Sequence, residues 1–133
     1  MAVPPPLARS VVVVDDDVDA AKSLKRVLDD WGFVVMTAHN GFAGAEVVLE
    51  RTPAVVVSDI DMPGTDGIKG ARLIRSMRLA VQPWLIALTG ATDNSTRLAA
   101  LAAGFDHYLN KPPRLSELVW LLEQCVRVPR QAA

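Results

Sequence analysis

The 133-residue chain predicts an α/β fold in which five parallel strands are covered on both faces by helices. Two observations carry this. Short apolar runs at residues 11–14, 54–57 and 84–88 each stop abruptly on polar residues, as strands buried on both faces do. Between them lie segments whose apolar residues recur at helical spacing, and such regular alternation calls for parallel strands joined by right-handed crossovers.

Each element has its own signals. Residues 9–14 form the first strand, ending on Asp15-Asp16-Asp17. Ala20, Ala21, Leu24, Val27, Leu28 and Trp31 then share a helical period that Gly32 stops. Residues 33–38 make the second strand. Asn40 caps a helix reaching about Glu50, with Ala45, Val48 and Leu49 inward, and Thr52-Pro53 closes it. The third strand, Ala54-Val55-Val56-Val57-Ser58-Asp59, is the most apolar, and Pro63-Gly64 breaks the chain just beyond it. Asp59 therefore sits at its carboxyl end, the edge where open α/β sheets bind ligands. A helix follows from Gly67 to about Leu79, with Ile68, Ala71, Leu73, Ile74 and Met77 apolar. Residues 84–88 form the fourth strand, ending on Thr89-Gly90. Asp93 or Asn94 caps an alanine- and leucine-rich helix that stops at Gly104. Residues 106–110 form the fifth strand, ending on Lys111-Pro112-Pro113, and the last helix runs from Leu115 to about Val126.

Composition narrows the function classes. The length suits one domain with a three-layer core that needs neither disulfides nor a structural metal. No apolar run approaches the roughly 20 residues of a membrane span. Met1-Ala2-Val3-Pro4-Pro5-Pro6 lacks the basic and apolar regions of a secretory signal. We expect a disordered lead-in over residues 1–8, a domain over 9–127 and a short tail over 128–133. That tail is too short for an effector domain, so output is expected through a partner. Cys125 is the sole cysteine and reads as a buried free thiol of a cytoplasmic protein. With 14 basic and 15 acidic residues, there is no electrostatic case for direct contact with nucleic acid.

Parallel strands bring four polar ends to one edge: Asp15 and Asp16, Asp59, Thr89 and Lys111. Carboxylates from Asp15, Asp16 and Asp59 gathered there repel one another, by about 4 kcal/mol per pair at ~4 Å and an effective dielectric near ~20. They call for a cation. Oxygen ligands without His or Cys select a hard ion, and a site that keeps waters and awaits phosphate oxygens suits Mg2+. Lys111 adds a fixed positive charge and Thr89 a hydroxyl donor. Such a set neutralises a phosphoryl group during its transfer, where catalysis is mostly positioning and electrostatics. Asp59 is then the nucleophile.

The residues at these ends resemble the receiver domains of two-component response regulators, the CheY-like family, over residues 9–126. The matching stretches are Val13-Val14-Asp15-Asp16, Ser58-Asp59-Ile60-Asp61-Met62-Pro63-Gly64-Thr65-Asp66-Gly67, Ala87-Leu88-Thr89-Gly90 and Tyr108-Leu109-Asn110-Lys111-Pro112. Together and in this order they are highly specific. The resemblance implies a flavodoxin-like (βα)5 sandwich with sheet order 2-1-3-4-5. It implies a phosphoacceptor rather than an enzyme, with Asp59 taking a phosphoryl group from the histidine of a kinase or a phosphotransfer protein. Mg2+ would be held by Asp16, Asp59 and the backbone carbonyl of Asp61, with Asp15 assisting through water. Thr89 and Tyr108 would form the conformational switch, and the Lys111-Pro112 bond would be cis. Asp61, Gly90, Pro113 and Arg114 depart from the usual pattern. Asp61 adds negative charge beside the site, Gly90 leaves access open, and Pro113-Arg114 leave the start of the last helix without its usual capping residue.

Other families share parts of this pattern. A receiver cut from a hybrid sensor histidine kinase remains an alternative to a stand-alone regulator or shuttle, with Met1 favouring the latter. Asp59-Ile60-Asp61 also resembles the acid pair of haloacid-dehalogenase-type phosphatases, but Pro63 stands where that family has Thr or Val. A flavin or nucleotide module would need a phosphate loop after the first strand, where three aspartates lie instead. On the last helix Leu115, Leu118, Val119, Leu122, Cys125 and Val126 share the core face. Trp120 lies opposite, among polar residues, and marks an interface for a downstream protein target or a second copy. No membrane contact is expected.

Overall fold

The computed structural model describes residues 9–91 and 93–130, the side chain of Thr65 excepted. The expected lead-in and the last three residues of the tail lie outside the described residues. In chain order the elements are β1 (Ser10–Val14), α1 (Val18–Asp30), β2 (Val34–Ala38), α2 (Gly41–Arg51) and β3 (Val55–Asp59). A 3-10 turn (Pro63–Thr65) leads into α3 (Asp66–Ser76), followed by β4 (Trp84–Thr89), α4 (Asn94–Ala103), β5 (His107–Asn110) and α5 (Leu115–Arg127). The strands form one parallel sheet of order β2-β1-β3-β4-β5. This is the flavodoxin-like sandwich that the resemblance implied.

The alternation of side chains along each strand divides the core in two. Val11, Val13, Val55, Val57, Ile86 and Leu88 pack with Leu28 of α1 and with Leu118, Val119, Leu122 and Cys125 of α5. Val12, Val14, Val56, Leu85 and Ala87 pack with Val48 of α2, Ile74 of α3 and Ala103 of α4. Every residue of β1 and β3 is buried, which is why these strands read as unbroken apolar runs rather than alternating ones.

Helix ends follow their caps. Asp17, Asn40 and Asp93 accept the N–H groups of Ala20, Ala43 and Thr96, so Asp93 rather than Asn94 opens α4. Gly32 and Gly104 take φ of 89° and 112°, the left-handed region that glycine enters at little cost. α3 stops at Ser76, short of the expected Leu79. The Gln82 amide donates to the carbonyls of Ile74 and Met77, satisfying the helix end from the following loop. Phe33 and Asp106 precede β2 and β5 rather than opening them.

Two apolar residues expected to face the core do not. Leu49 is 61 % exposed: the buried stripe of α2 is narrow, made of Gly41, Gly44, Ala45 and Val48, and Leu49 lies just past it. Leu115 is 41 % exposed, because the first residue of a helix meets fewer neighbours than the turns behind it. α5 opens without a side-chain cap, on Arg114, whose carbonyl accepts the Leu118 N–H at 3.0 Å.

Candidate functional site

Strand register brings the polar ends together. Val14 pairs with Ser58, Asp59 with Leu88, and Thr89 with Asn110, so Asp15, Asp59, Thr89 and Lys111 emerge within one residue of a common line. The Ile60 N–H donates to Leu88 O at 3.0 Å and the Lys111 N–H to Thr89 O at 2.8 Å, fixing both loops just past their strands. The Lys111-Pro112 bond is cis, as the resemblance implied.

Asp59 is 5 % exposed. Its Oδ1 accepts the Asp61 N–H at 2.8 Å and lies 2.7 Å from Lys111 Nζ. The chain behind it is held close: a Cβ at Gly67 would lie 2.5 Å from the Asp59 carbonyl oxygen. Only glycine lets α3 approach the end of β3 this tightly.

Carboxylate oxygens of Asp15, Asp16 and Asp59 lie within 4.8 Å of one another. Asp15 is braced by the Asp17 N–H, which donates to its Oδ1 at 2.9 Å. Burial, with the charges of Asp59 and Asp16, raises its pKa against the pull of that N–H and of Lys111. A cluster of like charges made only of oxygen donors fits a hard divalent cation.

Asp61 takes a larger part than the sequence indicated. Its carboxylate accepts the Thr89 hydroxyl at 2.6 Å and the Gly90 N–H at 2.7 Å, and lies 3.4 Å from Lys111 Nζ. Burial opposes its charge, but these donors outweigh burial and hold its pKa below the ordinary value. For Lys111, likewise, burial is outweighed by Asp59 and Asp61, and the ammonium is held more firmly protonated. The Gly90 N–H was legible only as a small residue; nothing in the local sequence told which carboxylate it would meet.

Thr89 leads outward from this centre. Its Oγ1 accepts the Ala91 N–H at 3.0 Å, and the Tyr108 hydroxyl donates to the Ala91 carbonyl. Tyr108 thus joins the centre through one backbone residue. It also lines a groove of about 310 Å3 with Arg97, Leu101, Glu117, Trp120 and Leu121. Trp120 is 62 % exposed and stands on this outer face, away from the carboxylates.

The sequence matches the response regulator receiver domain model over residues 11–123. It is 38 % identical over 117 residues to the transcriptional regulatory protein PrrA of Mycobacterium tuberculosis, covering 88 % of this chain and 49 % of that protein. The chain therefore spans about half the length of that relative. An uncharacterized 14.6 kDa protein of Leptolyngbya boryana is 35 % identical, with 92 % of this chain and 94 % of that protein covered. Among solved structures, the response regulator signal receiver domain of Bermanella marisrubri superposes with a TM-score of 0.78 at 31 % identity, over 89 % of this chain and 98 % of that one. Sequence match, sheet order and the alignment of strand ends agree, and the chain belongs to the response regulator receiver domain family.

Proposed function

We propose that Asp59 accepts a phosphoryl group from a phosphohistidine on a histidine kinase or phosphotransfer protein. One observation carries this: a buried carboxylate at the end of the central strand has an ammonium 2.7 Å from one oxygen and two further carboxylates within 4.8 Å. A carboxylate oxygen of Asp59 attacks phosphorus, the P–N bond breaks, and the departing imidazole takes up a proton. Lys111 neutralises charge gathering on the phosphoryl oxygens. Asp16, Asp59 and the Asp61 carbonyl would hold Mg2+, with Asp15 assisting through water. The ion supplies charge neutralisation to the phosphoryl oxygens.

The chain is then a phosphoacceptor and not a turnover catalyst. A phosphoryl group on Asp59 draws on the Thr89 hydroxyl, and through Ala91 any shift of Thr89 reaches Tyr108 and the groove beside Trp120. That face passes the signal to a protein target or a second copy. Intact-mass measurement after treatment with a small phosphodonor and Mg2+ is expected to show one phosphoryl group, located at Asp59 by peptide mapping. Full labelling of Asp59→Asn would end this reading.

A further inference from the structure

A phosphoryl group on Asp59 brings oxygens that need donors, and three donors stand around that position: the Thr89 hydroxyl, the Gly90 N–H and the Lys111 ammonium. In the structure the first two are turned to one side chain, that of Asp61, and the third lies between it and Asp59, 2.7 Å from Asp59 Oδ1. Asp61 Oδ1 takes the Thr89 hydroxyl at 2.6 Å, while Oδ2 takes the Gly90 N–H at 2.7 Å and lies 3.4 Å from Lys111 Nζ. The Asp61 N–H is bonded to Asp59 Oδ1 at 2.8 Å, which fixes the backbone from which the side chain reaches across. A carboxylate offers two oxygens and a negative charge, the features by which a phosphoryl group engages the same donors.

We propose that Asp61 is an internal competitor of the phosphoryl group: its carboxylate occupies the donors of Thr89 and Gly90, draws on the Lys111 ammonium that Asp59 also holds, and must be displaced for Asp59 to become phosphorylated. The proposal rests on the Asp59 reading and deepens it. Displacement costs two charge-assisted hydrogen bonds and a looser approach to Lys111, and it leaves a second anion beside the new one, so the side chain weakens phosphoryl binding and slows its arrival. It also holds Thr89 toward the centre before any phosphoryl group is present. A carboxylate that merely repelled at a distance would do the first and not the second.

The test compares the parent with Asp61→Ala and Asp61→Asn, the Asp61 side chain being partly exposed. Binding of beryllofluoride with Mg2+ is measured by calorimetry, the initial rate of labelling by a small phosphodonor is measured by mass, and the Gly90 amide proton is followed by NMR without Mg2+ or donor. We expect Asp61→Ala to bind beryllofluoride about tenfold more tightly or better, to label faster, and to shift the Gly90 amide upfield as it loses its carboxylate. Asp61→Asn, which keeps one acceptor oxygen without the charge, is expected to fall between. Unchanged or weaker binding in Asp61→Ala, or a Gly90 amide that does not move, overturns the competitor. Absence of beryllofluoride binding and of Asp59 labelling in the parent and in both variants overturns the Asp59 reading together with it. Labelling of Asp59 with no effect of Asp61 overturns the competitor alone.

Discussion

The two edges of the sheet both gather charge, and they settle it in opposite ways. At the amino edge Asp106 meets two arginines: Arg75 Nη2 donates to its Oδ2 at 2.8 Å and Arg130 Nε to its Oδ1 at 2.9 Å. The rest of the cluster is satisfied as well. Arg75 donates to Gly104 O, Gln82 Oε1 and Pro83 O, while the Leu85 N–H donates to Asp106 at 2.9 Å. Burial pulls the Arg75 guanidinium down to about 10, and it remains charged at neutral pH. At the carboxyl edge Asp15, Asp16, Asp59 and Asp61 share one lysine. The first edge is closed and holds α3, β4, β5 and the segment after α5 together. The second is left with excess negative charge on oxygen donors, a set that fits a hard cation.

This contrast sets the sign of what substitutions do. The largest effect is expected at the closed edge. Asp106→Ala leaves two arginines without their carboxylate and the Leu85 N–H without an acceptor, and should destabilise folding by about 3 kcal/mol, read from urea unfolding. A loss below about 1 kcal/mol would show that the cluster is no more than a surface pairing.

At the open edge the sign reverses. Asp15→Asn keeps the acceptor for the Asp17 N–H but removes one like charge, and should stabilise the protein in chelator by about 1 kcal/mol. With Mg2+ at about 100 times its dissociation constant, the parent should gain about 2.7 kcal/mol and the variant less. Destabilisation of Asp15→Asn in chelator would mean that the carboxylates are not in net repulsion.

The smallest effect on stability is expected where neither edge is involved. Trp120→Ala should change folding free energy by no more than about 0.5 kcal/mol and leave Asp59 labelling intact, while weakening self-association or target binding when beryllofluoride is bound. Normal self-association of the variant with beryllofluoride bound, measured by light scattering, together with unchanged binding to any target that the parent captures, would remove Trp120 from the output face.

The open edge was legible in the sequence, and the closed one was not. Asp15, Asp16, Asp59 and Thr89 each follow an apolar run and Lys111 follows the fifth strand, so strand ends and parallel topology suffice to bring them together. Asp106, Arg75 and Arg130 lie 31 and 24 residues apart and follow no pattern of burial. Their meeting depends on where three loops close. The same holds for Asp61: its position beside Asp59 was plain, but which donors its side chain would take depends on a rotamer and on the path of the loop after β4. Helix faces were legible where the stripe is wide, as at Leu118, Val119 and Leu122. They misled at Leu49, where glycine-lined packing between α2 and α3 narrows the stripe, and at Leu115, where the helix begins.

The tryptophans bear on how the molecule can be watched. Trp84 opens β4, five residues or about 16 Å of strand from Thr89, with its indole N–H on Val128 O at 2.8 Å. Trp31 closes the far end of α1, and Trp120 lines the groove with Tyr108. Among the described residues no indole is hydrogen-bonded to Asp15, Asp16 or Asp59, so an occupant of the cluster meets no tryptophan bonded to its ligands. A change in intrinsic emission on adding a phosphodonor would therefore record structure altered at a distance, and the polarity sensed by Trp120 would make this domain its own optical reporter of output.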